Sequence, residues 1–263
     1  MKKYLAILRS RFQTLLQYRT AALAGIGTQL FFGLVRMMIF DGFFHSSTQS
    51  QPMTSAQTIT YIWLGQALLL LTLFDVDKEV AALIRSGNVA YELTKPADLY
   101  AMWFARAFSG RAAPLLMRSV PIFVVAGLFF DLRPPASVTA ALLFLLSASV
   151  ALVLSASMVV LITTTLLWTI SGQGISRLAP VLIFFFSGIV IPLPFFPDRI
   201  QRVVGFLPSR GLIDTPLRIY VGHLGGGAAL LAMVHQLAWV LTLLLIGRVV
   251  LMRGLRKLVI QGG

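Results

Sequence analysis

The chain has 263 residues, is 57% hydrophobic and only 12% charged, and carries a formal net charge of +13. A soluble domain needs about a quarter of its residues charged, whereas the apolar residues here run in blocks of the length a bilayer-crossing helix requires, about 20. The positive charge sits at the ends of those blocks, so anionic lipid headgroups account for it without nucleic acid, and the absence of cysteine excludes a disulfide framework and a thiolate metal site.

Residues 1–20 open the chain with an amphipathic helix. Tyr4, Leu5, Leu8, Phe12, Leu15 and Leu16 share one face, and Lys2, Lys3, Arg9, Gln13 and Gln17 the other. That pattern predicts a helix lying in the membrane surface, not a secretory signal. Six spans are predicted after it, over 21–44, 58–74, 112–130, 136–170, 175–191 and 228–250. The fourth exceeds the hydrocarbon thickness and is expected to tilt, kink or project inward, until Ser171-Gly172-Gln173-Gly174 breaks it. A charged segment, 75–111, separates the second and third spans, and a connector, 192–227, separates the fifth and sixth.

Orientation follows from the 22 lysines and arginines. Fifteen fall in the N-terminal segment, the 75–111 segment, the link near Arg177 and the C-terminal segment. Five fall on the other side: Arg133, Arg199, Arg202, Arg210 and Arg218. Arg36 and Arg118 lie within spans. The excess predicts an N-inside, C-inside protein, with 75–111 cytoplasmic and 192–227 outside.

The nine acids exclude several chemistries, because none lies in the middle of a predicted span. Ion-driven transporters place a carboxylate or histidine at membrane depth, and only His235 is available, where a helix-packing hydrogen bond explains it. The three histidines are scattered, with no HExxH. Ser147, Ser149, Ser155 and Ser157 in the fourth span mark close helix packing in the absence of a nearby base. No GxxxxGK[ST] is present, so the chain has no P-loop and no enzymatic activity is expected of it.

The segment after the second span predicts a short amphipathic helix. Asp75 or Asp77 can cap it, Gly87 can end it, and Val76, Val80, Leu83 and Ile84 follow i, i+4, i+7, i+8. Lys78, Glu79 and Arg85 lie on the polar side. Such a helix either rests on lipid or on its own chain, or docks a cytoplasmic partner. Pro96 then forces extension at Lys95, and Asp98 caps the helix leading into the third span.

This order of parts resembles the membrane subunit of type-2 ATP-binding-cassette exporters, the permease class of daunorubicin-type drug exporters and polysaccharide exporters. The residues that carry the resemblance are Ile84-Arg85-Ser86-Gly87-Asn88-Val89-Ala90-Tyr91-Glu92-Leu93-Thr94-Lys95-Pro96, similar to a branch with a separately encoded ATPase and often two related permeases. Further matches are Phe186-Ser187-Gly188-Ile189-Val190-Ile191-Pro192-Leu193-Pro194-Phe195-Phe196-Pro197, Leu207-Pro208, and Arg253-Gly254-Leu255-Arg256-Lys257. The resemblance covers nearly the whole chain. It implies a single all-α transmembrane permease domain with the N-terminal helix as its elbow helix. It implies a coupling helix, residues 76–87, inserted into one subunit of a cytoplasmic ATPase dimer, and a connector partly re-entering the outer leaflet. A second permease, identical or homologous, would complete a central path. ATP and Mg would bind the partner, with no cofactor or metal in this chain, and the location implied is a bacterial inner membrane.

Path and gate candidates follow. Arg118 lies about 10 Å into the third span by helical rise, seven residues after Arg111; it either snorkels to headgroups or meets an anionic group on substrate or partner. Arg36 poses the same choice near the outer face. Phe184, Phe185, Phe186, Phe195 and Phe196 flank Gly188 and Pro192, as an apolar gate or as lipid-facing packing. Tyr61, Trp63 and Gln66 are path candidates by the resemblance alone. The function expected is outward movement of a hydrophobic or amphiphilic substrate by alternating access. The alternatives are a substrate-binding membrane subunit of an ATP-driven importer and a non-transporting scaffold.

Overall fold

The computed structural model describes residues 6, 9, 10, 12–14, 19–72, 76–94, 96–168 and 173–256. Ten α-helices of five or more residues follow one another from Arg19, with no strand among the described residues. Four are long and apolar enough to cross a bilayer. They are α1 (Arg19–Ser46), α5 (Leu99–Phe129), α6 (Val138–Thr165) and α10 (Gly226–Leu255). Two shorter helices, α2 (Ser55–Leu68) and α7 (Gln173–Phe186), the latter apolar over Ser176–Phe186, stand where the second and fifth spans were expected. At 14 residues each, they reach about 21 Å, short of a hydrocarbon core of about 30 Å. Between the longer elements lie α3 (Lys78–Arg85), α4 (Val89–Leu93), α8 (Asp198–Phe206) and α9 (Asp214–Tyr220).

Helix boundaries follow capping chemistry. Thr54 accepts a hydrogen bond from the Gln57 amide while the Gln57 side chain accepts from the Thr54 amide, a reciprocal cap that starts α2 before the apolar block begins. The helix of the third expected span starts at Leu99, where Asp98 caps it as expected by accepting from the Ala101 amide at 2.8 Å, and it runs through Arg106 and Arg111 into the apolar block at 112–130 as one continuous helix. α6 ends at Thr165, before Ile170, and still spans about 42 Å at 1.5 Å per residue. A break was expected at Ser171-Gly172-Gln173-Gly174; Ser171 and Gly172 lie outside the described residues, whereas Gln173 and Gly174 are already helical as the first residues of α7. Tyr4, Leu5, Leu8, Leu15, Leu16, Lys2, Lys3 and Gln17 of the N-terminal amphipathic helix also lie outside the described residues. Arg9, Phe12 and Gln13 are described and line a cleft with Phe108 and Leu116 of α5.

The core is built around α6, which packs against α5, α9 and α10. Small and hydroxyl residues allow close approach: Ala151, Ala156, Ser147 and Ser155 are fully enclosed. Ser155 donates to the Leu71 carbonyl at 2.9 Å and Ser147 to Gln236 of α10 at 2.8 Å. Gln236 also donates to the Gly211 carbonyl at 2.7 Å. A second cluster joins α1, α2 and α5, where Trp63 stacks on Phe130 with centroids 4.4 Å apart.

α7 ends abruptly, and four carbonyls at and just beyond its end find donors among their neighbours. Phe184 accepts from Ser187 Oγ at 2.8 Å, Phe186 from Ser209 Oγ at 3.1 Å, Ser187 from the Asp214 amide at 3.2 Å and Ile189 from Arg36 at 2.7 Å. Non-helical backbone is tolerated at membrane depth only when protein satisfies it in this way. Gly188 makes the turn with φ +91°. The connector then folds inward: Leu212, Ile213, Asp214, Thr215, Leu217 and Ile219 of its second half are buried.

Candidate functional site

The segment after α2 forms a short, firmly seated helix. Asp77 accepts from the amides of Glu79 at 3.0 Å and Val80 at 3.2 Å, so it is the N-cap of α3. Gly87 follows the C-cap at φ +73°, the left-handed position that ends a helix. Val80 and Ala81 are buried, Val76, Leu83 and Ile84 pack against the main core, and Lys78, Glu79, Ala82 and Arg85 point outward. Arg106 of α5 fastens the helix. Its Nε lies 3.1 Å from Asp77 Oδ2, and its Nη2 contacts Glu79. One carboxylate thus caps α3 and holds an arginine of the neighbouring long helix. Sequence reading missed Arg106, which lies 29 residues from Asp77. Asp75 lies outside the described residues.

Arg118 and Arg111 share a cavity of about 480 Å³ with Arg106, Asp77, Lys78, Glu79 and Leu70. Arg111 Nη1 donates to the Leu70 carbonyl at 3.0 Å, covering the end of the turn after α2. Gly25 of α1 faces Arg118, and a Cβ there would collide with the guanidinium.

A second cavity, of about 710 Å³, lies between α1 and the irregular stretch after α7. Phe32, Arg36, Phe40, Phe43, Gln51 and Phe195 line it, with Val190, Ile191 and Pro194. Phe195 meets Phe40, Phe43 and Phe44 edge-on, with centroids 5.5 to 6.3 Å apart. Arg36 therefore belongs to an apolar, aromatic cavity while holding the Ile189 carbonyl. Gln66, with its amide turned to satisfy its neighbours, accepts from Arg36 Nη1 at 2.9 Å and donates to the Gln29 carbonyl at 3.2 Å. Phe185 stands beside Phe186 and Phe196, Phe184 packs on the main core, and Pro192 is buried and opens the turn at 193–195.

Tyr61, Trp63 and Gln66 are enclosed by the chain itself. Tyr61 belongs to a buried polar group that sequence reading did not find. Its hydroxyl donates to Asp214 Oδ1 at 3.3 Å, Arg218 Nη1 contacts Asp214 Oδ2 at 3.3 Å, and Arg210 Nε lies 3.7 Å away. Burial pushes the Asp214 carboxyl up, and the two arginines oppose that shift. The spacing Arg210-x3-Asp214-x3-Arg218 is the helical i, i+4 pair repeated, which is the signal that was available. Gly188 abuts this group, since a Cβ there would lie 2.5 Å from Tyr61 Oη and 3.2 Å from Asp214 Cβ. His223 extends it. Its Nδ1 accepts from Arg218 Nη2 at 3.0 Å, and its Nε2 lies 3.1 Å from the Pro52 carbonyl in the α1–α2 loop. Burial and Arg218 hold the His223 imidazole below its ordinary pKa. His235 Nε2 lies 3.1 Å from the Phe206 carbonyl, and Trp239 donates to the same carbonyl at 2.9 Å, binding α8 to α10. No cluster of histidine, aspartate and glutamate able to hold a metal occurs among the described residues.

A family model described as ABC-2 family transporter protein matches residues 26–262. No curated protein matches the chain.

Proposed function

Because the chain belongs to the ABC-2 transporter family, whose members are multi-pass membrane components of ATP-binding-cassette systems, we propose that it is the permease of an ATP-driven exporter. In this reading α2 and α7 complete six crossings, both ends face the cytoplasm, and the membrane is a bacterial inner membrane. A cytoplasmic ATPase dimer binds Mg-ATP, and a second permease, identical or homologous, faces this one across the path. A hydrophobic or amphiphilic substrate moves outward along the interface between the two.

The observation that carries the proposal is the seating of α3. A helix with a buried apolar face, an outward polar face and a clamp to a long helix can pass a push from a soluble partner into the bundle. Lys78, Glu79 and Arg85 present that outward face. Val76, Val80, Leu83, Ile84 and Gly87 set the angle at which it meets the core. Arg36 and the phenylalanines of the larger cavity, with Phe185, Gly188 and Pro192, form the outer end of the path. Tyr61, Trp63 and Gln66 support its wall from behind.

Affinity purification from the native membrane after cross-linking tests this. Recovery of a soluble ATPase with wild type, and its loss on doubling Glu79→Arg with Arg85→Glu, is expected. Recovery of the chain with no nucleotide-binding protein would overturn the proposal.

A further inference from the structure

The cavity of about 710 Å³ between α1 and the stretch after α7 is lined by aromatic and aliphatic side chains apart from Arg36 and Gln51. Gln51 donates to Ser47 Oγ at 2.6 Å, and Arg36 is the charged group of the lining. Its guanidinium is held in place: Nη1 donates to the Ile189 carbonyl at 2.7 Å and to the Gln66 amide oxygen at 2.9 Å. Both partners are uncharged, and no aspartate or glutamate of the described residues forms an ion pair with Arg36. Neither contact uses Nε or Nη2, the two donors on the side edge of the guanidinium. Arg36 stands ten residues, about 15 Å, before α1 ends at Ser46. A cation at that depth in a membrane helix is costly unless an anion or water meets it.

We infer that this cavity binds an amphiphilic anion, with its acidic group on Arg36 and its apolar body among Phe32, Phe40, Phe43 and Phe195. A guanidinium edge with two donors matches a carboxylate or phosphate through two parallel hydrogen bonds. Phe195 packs edge-on against Phe40 and Phe43, with centroids 5.5 and 6.1 Å apart, which gives the body a formed wall. The volume falls within the range of about 300–1,000 Å³ that small-molecule sites occupy. Phe32, Ile39 and Phe43 are exposed, so the cavity opens through apolar residues by which an amphiphile can enter from the bilayer. Calling this ligand the cargo rests on the export reading above; its binding here does not.

The test photolabels the purified full chain, in discs of phosphatidylcholine, with diazirine-bearing dodecanoic acid. Wild type should label saturably on the peptides that carry Phe32–Phe43 and Val190–Phe195. Dodecanoate should compete at a concentration at least tenfold below that of dodecanol, which has the same chain and no charge. Arg36→Gln removes the cation, and Ile39→Glu supplies a carboxylate one turn away from an exposed position; each should weaken labelling at least tenfold. The second variant keeps both Arg36 contacts, so it reads binding where the first also disturbs the Ile189 carbonyl. Arg199→Gln, an exposed cation on α8 outside the cavity, should label as wild type does. Phosphatidylglycerol added to the discs assigns the source. Competition as strong as that of dodecanoate identifies a membrane lipid, and its absence identifies a free single-chain amphiphile. Equal competition by dodecanol, or wild-type labelling of a monodisperse, folded Ile39→Glu protein, would overturn the site. Either result leaves ATPase recovery untouched, and labelling without ATPase recovery strikes the export reading alone.

Discussion

At the scale of single residues, Gly188 and Asp214 decide whether the connector can fold inward. A side chain at Gly188 must adopt φ +91° and displace the Tyr61 hydroxyl. A residue forced into such backbone costs about 1–3 kcal/mol, so Gly188→Ala should lower the melting temperature of the purified protein, and Gly188→Val more. Asp214 is fully buried between two arginines. Asp214→Ala leaves those charges without their carboxylate and should cost about 3–5 kcal/mol, read as a larger melting shift than Gly188→Ala. His223 adds pH dependence. Its Nδ1 already accepts from Arg218, so protonation sets two cations together beside Asp214 and the Pro52 carbonyl. The folded-state pKa lies below the ordinary value, so the unfolded chain takes up the proton first. Stability is complete above that value and falls as the pH drops through it. Melting curves from pH 7.5 to 5.5 should show this loss in wild type and less of it in His223→Gln, which keeps an acceptor and a donor but does not titrate.

At the scale of elements, α3 and α5 form one mechanical piece through Asp77 and Arg106. That contact is largely shielded from solvent on both sides, and a hydrogen bond to a charged partner of this kind is worth about 1.5–3 kcal/mol. Arg106→Ala should abolish transport-linked ATP hydrolysis in membranes that also contain the ATPase while leaving the amount of inserted chain unchanged. Loss of insertion alongside activity would place Arg106 in folding instead. The elements were unevenly legible. Asp77, Gly87 and Asp98 announce helix ends through local chemistry, and all three act there. Thr54 and Gln57 carried an equally local signal that hydropathy alone passes over. The start of α5 was legible in Asp98, but its apolar run begins only near Ala112 because Arg106 and Arg111 interrupt it, although each is neutralised or bonded by a neighbour far along the chain. Tyr61 meets Asp214 across 153 positions, a distance over which periodicity carries no information. The larger cavity was half-visible: its phenylalanines were evident as a group, but the pairing of Arg36 with Ile189 depends on where α7 stops.

For the whole molecule, the arrangement of crossings is open to direct measurement, since the sequence has no cysteine of its own. Single cysteines at Thr48, in the α1–α2 loop, and at Ser86, after α3, should label with an impermeant maleimide from opposite sides of intact membranes. Thr48→Cys should react from outside and Ser86→Cys only after permeabilisation. The reverse pattern would invert the proposed orientation. The position of Gln236 has a consequence for how the chain is made. It sits on α10, which is synthesised after the elements it joins, yet it accepts from Ser147 of α6 and donates to Gly211 of the connector. Until α10 enters the bilayer, the earlier helices lack the element that seals them. A nascent chain stalled before Gln236 would leave its connector unsecured and expose a recognisable lesion to membrane proteases. α10 thus serves as a checkpoint of synthesis: chains stalled before it should disappear in a pulse-chase experiment, and chains that include it should persist.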